Sequence, residues 1–319
     1  MNPPDLCCDV TIVGGGPAGL SAAVALARSL RSVLVVDDGT PRNAPAAGAH
    51  NVLGHDGIAP TRLLTDGRRE AEHFGARIIS GRAVTARRTE DGFEVGLADG
   101  ARVRSRRLLL ATGLTDELPD VPGVRELWGR TVLHCPYCHG WEVRGRRIGV
   151  LGTGPMSIHQ ALMFRQLTDT VTLFRHELDE IDPLSSRRLA ALDVEIVDGP
   201  VDRVMAADGA LRSVVLADGR EHALDTLAVA PRFTARAELY EQLGGTVTDH
   251  PMGSFLAAGP TGQTDLPGVW AAGNVDDLSA MVAVASGAGL AAGVAINADL
   301  VTEDADAAVA ARAGAAPVR

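Results

Sequence analysis

The hydrophobic residues of this chain fall in short runs, many of them β-branched, and the runs end at glycine-rich turns or at acidic residues. Residues 10–13 form such a run before the turn GGGPAG at 14–19, residues 20–30 are mostly apolar, and residues 33–36 form a second run that ends at Asp37. Short apolar strands on both sides of an apolar helix are typical of a βαβ unit in a parallel sheet. The pattern therefore predicts an α/β fold that begins with this unit.

The turn at 14–19 has the spacing of a dinucleotide-binding fingerprint. Gly14 permits the tight turn, Gly16 lets the backbone approach a pyrophosphate, and Gly19 lets the helix pack on the strand. Asp37 stands at the end of the second strand, where an acidic side chain accepts the hydroxyls of a ribose. Strand, turn, helix and acidic residue occur in the required order, so this unit is predicted to bind a dinucleotide.

The same plan occurs a second time in the middle of the chain. Residues 148–151 lead into a turn that contains Gly152, Gly154 and Ser157, and a helix and a buried strand are predicted after it. Two successive copies of one unit indicate two Rossmann-like domains.

Each unit is followed by a predicted antiparallel meander. The first meander is expected to contain residues 77–79, 93–95 and 102–103, and the second is expected to contain residues 194–197 and 214–216. The Asp-Gly pairs between these apolar runs are typical of hairpin turns.

Two further strands end in glycine turns. The first ends at Ala111-Thr112-Gly113, and the second, at 268–274, precedes a helix of small residues expected from about 280 to 300. The tail from Thr302 is rich in alanine with alternating acidic residues, which predicts a frayed or disordered end.

A C-x-x-C motif, formed by Cys135 and Cys138, lies between the two glycine-rich turns. Neither a second C-x-x-C nor a closely spaced His pair completes a zinc ligand set, so no metal site is predicted. Two thiols at this spacing can close a disulfide and exchange with another dithiol or disulfide. The motif alone leaves a structural disulfide or an inert thiol pair open, but its place between two dinucleotide turns favours a redox pair.

Composition excludes several classes of protein. A length of 319 residues suggests two domains, and a net charge of −10 argues against nucleic acid as a partner. No long apolar run and no secretion signal are evident, and four cysteines do not make a disulfide scaffold, so a cytoplasmic protein without a membrane partner is expected. All 30 basic residues are arginine, and the lack of lysine excludes Schiff-base chemistry.

With these motifs in place, the chain resembles the low-molecular-weight thioredoxin reductases over about residues 8–300. The resemblance rests on the first glycine turn, the turn at 111–113, the Cys135/Cys138 pair and the sequence WAAG at 270–273. It implies an α/β fold of two Rossmann-like domains, the second inserted into the first, and a homodimer. The implied FAD-binding domain comprises residues 1–115 and 238–319, and the implied NAD(P)-binding-like domain comprises residues 116–237.

The resemblance also implies roles for individual residues. Cys138 is expected to face the flavin, while Cys135 exchanges with the substrate. The residues implied to bind FAD are Gly14, Gly16, Pro17, Ala18, Gly19, Asp37, Arg42, Asn51, Ala111, Thr112, Gly113, Gly273, Asn274 and Val282.

Local sequence narrows the resemblance further. DGTPRN at 38–43 and CPYCHGWE at 135–142 are similar to the branch that contains the dithiol oxidases of microbial disulfide natural products, such as the gliotoxin, holomycin and romidepsin enzymes. Ordinary thioredoxin reductases carry an acid/base Asp after the second cysteine, where this chain has His139. An imidazole that titrates near neutrality can accept a thiol proton. A packed loop histidine is the alternative, and Glu142 is either its orienting partner or a solvated acid.

The chain departs from the family where NADPH is selected. Of the usual arginine cluster after the second unit's second strand only Arg175 remains, and Glu177, Asp179 and Glu180 would repel a 2′-phosphate. In the last glycine turn Asn274 replaces the usual acid, and apolar residues around Met281-Val282 replace an Arg-Gln pair that lies over the flavin. FAD is therefore the expected cofactor, whereas the use of NAD(P)H stays open.

Three functions follow from these observations. The favoured one is an FAD-dependent dithiol:disulfide oxidoreductase that oxidises a small-molecule dithiol with O₂ as acceptor. The alternative is the reverse reaction, an NAD(P)H-dependent reductase of a thioredoxin-like protein or a small disulfide. The third is a flavoprotein that senses redox state without turnover, against which the intact cysteine pair and His139 argue. The substrate and its pathway are not fixed by the sequence.

Four other residues receive less weight. Cys7 and Cys8 begin the first strand and are interpreted as small buried or edge residues rather than as a second redox pair. His50 and His55 bracket Asn51, and either histidine could line a substrate pocket or simply belong to a loop.

Overall fold

The computed structural model describes residues 5–314 and shows two compact units. Unit 1 is built from described residues of Met1–Arg42, Thr61–Thr115 and Thr234–Arg319, and unit 2 from Asn43–Pro60 and Asp116–Phe233. In sequence, unit 2 is thus inserted into unit 1. Each unit has a mainly parallel sheet with helices and a small meander, and the predicted α/β fold of two Rossmann-like domains is confirmed.

The secondary structure alternates strands and helices for most of the chain. In chain order the elements are β1 (Asp5–Val13), α1 (Pro17–Arg28), β2 (Val33–Asp37), α2 (Pro60–His73), β3 (Arg77–Ser80), β4 (Ala83–Thr89), β5 (Gly92–Leu97), β6 (Arg102–Leu110), β7 (Leu114–Glu117), α3 (Val124–Leu127), β8 (Val132–Leu133), α4 (Pro136–His139), β9 (Ile148–Leu151), α5 (Met156–Arg165), β10 (Val171–Phe174), α6 (Pro183–Ala191), β11 (Glu195–Val197), β12 (Val201–Ala207), β13 (Ala210–Leu216), β14 (Glu221–Ala223), β15 (Thr226–Ala228), β16 (Arg232–Ala235), α7 (Glu238–Gln242), β17 (Thr248–His250), β18 (Gly253–Phe255), β19 (Val269–Ala271) and α8 (Val282–Gly314).

Unit 1 is built on a seven-stranded sheet in the order β3-β2-β1-β6-β5-β4, with β19 also paired to β6. β1, β6 and β19 are parallel, and their register places Val13 opposite Leu110 and Leu110 opposite Ala271. Aliphatic side chains are buried on both faces of the sheet. The carboxyl ends of three strands therefore meet at one edge, and each is followed there by a predicted glycine turn.

Two strands that were predicted for the antiparallel meanders belong to the parallel sheets in the structure. β3 pairs in parallel with β2, and β11 pairs in parallel with β10, so both strands belong to the parallel sheets. The prediction that they belong to antiparallel meanders was wrong, because each follows a crossover helix, α2 or α6, that the sequence pattern did not reveal. The meanders are β4-β5-β6 in unit 1 and β12-β13-β14 in unit 2.

The last helix, α8, packs against α1 in unit 1. Gly289 and Gly293 lie so close to the backbone of Ala18 and Ala22 that a Cβ atom at either glycine would crowd it. By length and apolar composition α8 is able to cross a membrane, although no such segment was expected from the sequence. About 33% of its most apolar stretch is buried, so α8 is only partly covered in the described structure.

The tail expected to be frayed from Thr302 is helical as far as Gly314, so that prediction was wrong for the described residues. Arg106 and Arg107 on β6 form ion pairs with acidic side chains of the helix, which are Asp299, Glu303 and Asp304. These ion pairs hold the C-terminal, more polar part of α8 against β6 of the unit 1 sheet. Residues 315–319 lie outside the described residues.

Unit 2 contains a five-stranded parallel sheet in the order β11-β10-β9-β15-β8 and a separate three-stranded sheet. β9 and β10 pair with Ile148 opposite Val171, as in the first strand pair of unit 1. β8 pairs with β15, Leu133 opposite Ala228. The cysteine motif begins two residues after β8, so the carboxyl end of an edge strand of this sheet leads directly into it.

Candidate active site

Three turns of unit 1 converge at the carboxyl ends of β1, β6 and β19. Gly14 has φ 109°, and a Cβ atom there would overlap the carbonyl of Ala111. A Cβ at Gly19 would overlap the carbonyl of Gly14, and a Cβ at Gly273 would lie 2.9 Å from Cβ of Ala18. The first and last segments predicted to bind FAD therefore form one continuous site within unit 1.

Gly16 differs from its neighbours because a Cβ atom there would meet nothing within 4 Å. Its φ of −78° is open to any residue, so glycine is not required by the local backbone. The open space lies at the N-terminal end of α1, whose first residue is Pro17. This is where a dinucleotide fold lets its backbone approach a pyrophosphate, so the residues present fit the diphosphate of FAD.

Asp37 lies at the end of β2, as predicted, and both of its carboxylate oxygens are already hydrogen-bonded. Oδ1 accepts from the backbone N–H of Gly15 at 2.9 Å, and Oδ2 accepts from the guanidinium of Arg68. Arg68 was not foreseen, because a charged residue in the middle of α2 carries no local signal. A carboxylate oxygen has a second lone pair, so these bonds leave Asp37 able to accept a ribose hydroxyl.

The last turn is held by Asn274 rather than by an acid. Its Oδ1 accepts from Nη1 of Arg42 at 3.2 Å, and its Nδ2 donates to the carbonyls of Asp277 and Ala280. Nearby, burial raises the pKa of Asp276 to about 7, and Oδ1 of Asp276 has no hydrogen-bond partner among the described residues. The turn therefore contains the amide of Asn274 and, two residues later, the carboxyl of Asp276, whose raised pKa favours its neutral form.

The other residues predicted for FAD occupy the same edge of unit 1, with one exception. Thr112 donates its hydroxyl to the carbonyl of Arg236 at 2.7 Å, Gly113 has φ 72°, and half-buried Val282 begins α8. Asn51 is the exception, since it belongs to unit 2. Its Nδ2 donates to the carbonyl of Tyr137 at 2.8 Å, so Asn51 contacts the cysteine motif.

The two cysteines of unit 2 are adjacent but not equivalent. Their sulfur atoms lie 2.6 Å apart, and the backbone N–H of Cys138 donates to Sγ of Cys135 at 3.2 Å. Cys135 caps the short helix α4, whose first residue is Pro136, and the half-buried pair can be reached by a small thiol. Only a small movement separates this arrangement from a disulfide, and the role of the two cysteines as a redox pair stays a prediction.

His139 ends α4, and its side chain is half-buried. Both ring nitrogens are buried, and neither has a hydrogen-bond partner among residues 5–314. Burial lowers the pKa of His139; the carboxylate of Glu142 raises it in part, and His50 lowers it further. A neutral imidazole with an unused acceptor nitrogen is suited to take a proton from a thiol.

Glu142, considered as an orienting partner of His139, lies instead beside His50. Its Oε1 is 3.5 Å from Nε2 of His50, and Nδ1 of His50 is 3.3 Å from Oδ2 of Asp56. Asp56 also accepts from the backbone N–H of Asn51 at 3.0 Å. Glu142 therefore acts on His139 through its charge and not through a hydrogen bond.

A pocket of about 340 Å³ in unit 2 brings these groups together. Its polar side chains are His50, His139, Glu142 and Arg130, and the rest of its wall is formed by Pro45, Ala47, Gly48 and Gly129. Segment 43–60, far from the cysteine motif in sequence, supplies half of the wall. Sequence reasoning gave His50 little weight and did not find Arg130, since no local motif marks them.

The second glycine turn of unit 2 keeps part of a dinucleotide site. A Cβ at Gly154 would meet nothing within 4 Å, as at Gly16. Ser157 stands at the third glycine position; it is fully buried, its hydroxyl donates to the carbonyl of Leu151 at 3.0 Å and accepts from the N–H of Thr153 at 3.1 Å. One amide of the turn is thus already satisfied by the protein.

Arg175, the remaining arginine after β10, is committed to other groups. Its Nη1 donates to Oδ1 of Asp198 at 3.0 Å, and its Nη2 donates to the carbonyl of Asp179. The N–H of Glu177 donates to the carbonyl of Gly152 at 2.9 Å, which brings this acidic segment back to the glycine turn. The segment therefore offers a 2′-phosphate acidic side chains and an arginine that is already paired.

Cys7 and Cys8 lie on β1 and show no features of a second redox pair. Cys7 is exposed, and burial raises the pKa of the Cys8 thiol to about 11. A thiol with so high a pKa is protonated near neutral pH and hence a poor nucleophile.

Two glycine-turn folds, an open diphosphate cradle and a C-x-x-C pair define a disulfide oxidoreductase that uses dinucleotides. The chain belongs to the pyridine nucleotide-disulphide oxidoreductase family, whose model matches residues 8–289. The family binds FAD and uses NAD(P)H, and the open space at Gly16 in unit 1 fits the diphosphate of FAD. The predicted enzyme class is thereby confirmed.

Individual relatives agree with this assignment. The chain is 35% identical over 280 residues to thioredoxin reductase tcpT of Claviceps purpurea, covering 83% of this chain and 86% of the relative. It is 30% identical to thioredoxin reductase sirT of Leptosphaeria maculans, with 91% and 93% covered. The crystal structure of HlmI matches with a TM-score of 0.90 at 45% identity and covers 96% of both chains. These relatives confirm the resemblance predicted from the motifs, including its branch.

Proposed function

We propose that this thioredoxin reductase-like enzyme works as an oxidase: it converts a small-molecule dithiol into a disulfide, and O₂ is the final electron acceptor. Net, one dithiol and one O₂ give one disulfide and one hydrogen peroxide. When bound, FAD supplies the two-electron chemistry that links the cysteine pair to O₂. The remaining steps belong to the cysteines and histidines of unit 2.

The thiol exchange uses the inequivalence of the two cysteines. A substrate thiolate attacks Sγ of Cys135 in the oxidised pair, a substrate–Cys135 disulfide forms, and Cys138 leaves as a thiolate. The second substrate thiolate then attacks the substrate sulfur of that mixed disulfide, and Cys135 leaves as a thiolate. The N–H of Cys138, which donates to Sγ of Cys135, stabilises the negative charge left there.

His139 generates the attacking thiolate in this scheme. A thiol with an ordinary pKa near 8.5 is only a few per cent ionised at pH 7, so a neutral base beside it speeds the attack. The ring of His139 is neutral at pH 7 because burial lowers its pKa. Neither nitrogen has a hydrogen-bond partner among the described residues, so no group there competes for the substrate proton.

The direction of the reaction is carried by one observation, the pairing of Arg175 with Asp198. The resemblance implies that relatives selecting NADPH carry arginines at this place, whereas here the arginine is paired with Asp198, and Glu177, Asp179 and Glu180 follow it in the sequence. A like-charge pair near a protein surface costs up to about 4 kcal/mol at 4 Å before screening. Such a site disfavours a 2′-phosphate, which supports a dithiol as the electron donor.

A reductase that takes electrons from NAD(P)H is the second candidate. The observation in its favour is Gly154, where the open space needed for a diphosphate is retained. In that case the same cysteines reduce the disulfide of a small molecule or of a thioredoxin-like protein.

Anaerobic stopped-flow mixing separates the two candidates. The FAD-loaded enzyme is mixed with NADPH, NADH or dithiothreitol, and the flavin absorbance is followed; O₂ uptake and peroxide are measured in parallel. We expect dithiothreitol to bleach the flavin and support O₂ uptake. Bleaching within milliseconds by micromolar NADPH, with a slow response to dithiols, would reverse the proposed direction.

We also propose a homodimer in the cytoplasm. The exposed face of α8 carries apolar side chains at Val284, Leu290, Val294 and Val301, each about half accessible in the single chain. An apolar stripe of this kind supports burial against a second copy. Sedimentation of the FAD-loaded protein tests the assembly, and a monomer at micromolar concentration would refute it.

A further inference from the structure

We infer that His50 is a second acid/base group of the unit 2 pocket, serving the thiol that His139 does not. This rests on the proposed dithiol exchange. The exchange removes two thiol protons, one before each attack, and the two sulfur atoms of a cyclic product occupy different positions. A single histidine at the end of α4 faces one of them, whereas the pocket contains two imidazoles.

The position of His50 is fixed from both sides. Nδ1 lies 3.3 Å from Oδ2 of Asp56, and Nε2 lies 3.5 Å from Oε1 of Glu142. Asp56 is itself held, because its Oδ1 accepts from the N–H of Asn51 at 3.0 Å. A ring held between two carboxylates keeps its orientation in the pocket.

Asn51 links this arrangement to the cysteines. It has a left-handed backbone, with φ 58°, and its Nδ2 donates to the carbonyl of Tyr137 inside the C-x-x-C motif. The loop at 43–60 closes on itself through a bridge between Ala49 and Ile58. His50 is therefore anchored to the α4 segment that carries His139 and does not sit on an independent loop.

Charged groups around His50 connect its ring to solvent, where its proton can be released. Within unit 2 the titratable and charged groups near it are Glu142, Asp56, His139 and Arg130. The N–H of Asn51 and the ring of His50 lower the pKa of Asp56, whose side chain is 71% exposed. Glu142, His50 and Asp56 thus connect the pocket to solvent through two carboxylates and one imidazole.

In the proposed step, the proton of the second substrate thiol passes to His50, the product S–S bond forms, and the bond from the substrate sulfur to Sγ of Cys135 breaks with its electron pair on Cys135. The proton then leaves His50 for bulk water by way of Asp56. Two electrons have moved from the substrate to the cysteine pair.

The test is a single exchange between the FAD-loaded, oxidised enzyme and dithiothreitol, without O₂. Samples are quenched in acid, and the mixed disulfide at Cys135 is measured by intact-protein mass. In His50→Gln we expect the mixed disulfide to accumulate at pH 7, with its decay slowed roughly 10- to 100-fold. At pH 9 the second thiol ionises without a base, so the defect should largely vanish, whereas a misfolded loop would not be rescued by pH.

Two further variants sharpen the result. His55→Gln is the matched control, since His55 is exposed on the same loop and does not line the pocket; it should behave as wild type. Asp56→Asn keeps an acceptor for Asn51 but removes the charge, and it should show a weaker form of the His50→Gln defect. Decay of the mixed disulfide at the wild-type rate in His50→Gln at pH 7, or a defect equal at pH 7 and 9, overturns the inference.

The same samples distinguish this inference from the proposed function. O₂ uptake with dithiothreitol is recorded separately from the exchange step. A wild-type enzyme that exchanges with dithiothreitol but takes up no O₂ refutes the oxidase direction, while the mass data still decide the role of His50.

Discussion

The backbone N–H of Cys138 donates to Sγ of Cys135 across 3.2 Å, and the two sulfur atoms lie 2.6 Å apart. The bond runs in one direction, from the second cysteine of the motif to the first. Negative charge is therefore better stabilised on Cys135, which makes it the better leaving group when a mixed disulfide is resolved. This asymmetry gives the two cysteines different roles: Cys135 is the leaving group, and Cys138 supplies the hydrogen bond that stabilises it.

Serine substitutions should separate these roles. Cys138→Ser keeps a single thiol in the motif, and that thiol can exchange with an added small-molecule disulfide. The mixed disulfide formed at Cys135 cannot be displaced by a neighbouring sulfur, so it should persist, and dithiol-dependent O₂ uptake should be lost. Cys135→Ser should also lose O₂ uptake but should trap far less substrate. Intact-protein mass after anaerobic incubation measures both.

Cys7→Ser is the control for these variants, because Cys7 is an exposed cysteine of β1 outside unit 2. It should retain wild-type turnover. Wild-type turnover in either variant of the motif would instead remove the redox pair from the mechanism.

The first βαβ unit could be predicted because its signals are local. The spacing of Gly14, Gly16 and Gly19 and the runs of β1 and β2 lie within one short stretch of chain. The second unit repeats these signals, so the order of the two folds followed from the sequence as well. The crossover helices α2 and α6 did not, since both are largely polar and carry no apolar run, and β3 and β11 were consequently assigned to the wrong partners.

What the sequence could not predict depends on contacts between distant residues. The tail of α8 is helical where Arg106 and Arg107 of β6 pair with it, almost 200 positions earlier in the chain. The pairing of His50 with Glu142 joins a loop to a helix that no motif connects. Charge pairing and burial decide such contacts, and neither leaves a periodic pattern in the sequence.

The pH dependence of the exchange step should follow His139. Its pKa lies below the ordinary value of 6.5 because burial disfavours the charged ring. The neutral base therefore persists to lower pH than in a free imidazole, and it is lost as the pH falls through the lowered pKa of the folded protein. The rate of dithiol exchange, corrected for thiol ionisation, should stay level to below pH 6.5 and then fall.

Two variants at this site check the assignment. His139→Gln should slow exchange at pH 7 by roughly 100-fold and abolish the acid limb. Glu142→Gln should move the acid limb to lower pH, because the carboxylate that raises the pKa of His139 is removed. An acid limb that stays in place in both variants would assign it to another group.

The stability of the protein should depend on Asp276 in the opposite sense to an ordinary surface acid. Burial raises its pKa from 3.8 to about 7, so the folded state holds a proton that the unfolded state releases. Its contribution to stability is complete below pH 3.8 and is lost as the pH rises through 7. Asp276→Asn should therefore stabilise the protein at pH 8 by about 1–3 kcal/mol and have little effect at pH 4.

Thermal melts at the two pH values, made at equal FAD content, measure this effect. Asp306→Asn serves as control, because Asp306 is exposed on α8 and has no ion-pair partner among the described residues. It should leave the melting temperature unchanged at both pH values. A gain in Asp276→Asn that is equal at pH 4 and pH 8 would show that Asp276 is not the titrating group.

Gly16 and Gly154 occupy the same place in two copies of one fold and should respond differently to the same change. A Cβ atom at either position would meet no protein atom within 4 Å, so the first carbon of a leucine side chain enters open space at both turns. In Gly16→Leu the diphosphate of FAD is excluded, and the protein should purify without flavin but with a normal far-UV circular dichroism spectrum. In Gly154→Leu the flavin should remain, and dithiol-dependent O₂ uptake should stay within about twofold of wild type, because the proposed reaction uses no nucleotide in unit 2.

Flavin content by absorbance and O₂ uptake with dithiothreitol measure both outcomes. Full flavin in Gly16→Leu would remove this turn from the FAD site, and loss of turnover in Gly154→Leu would place a nucleotide in unit 2 during the reaction.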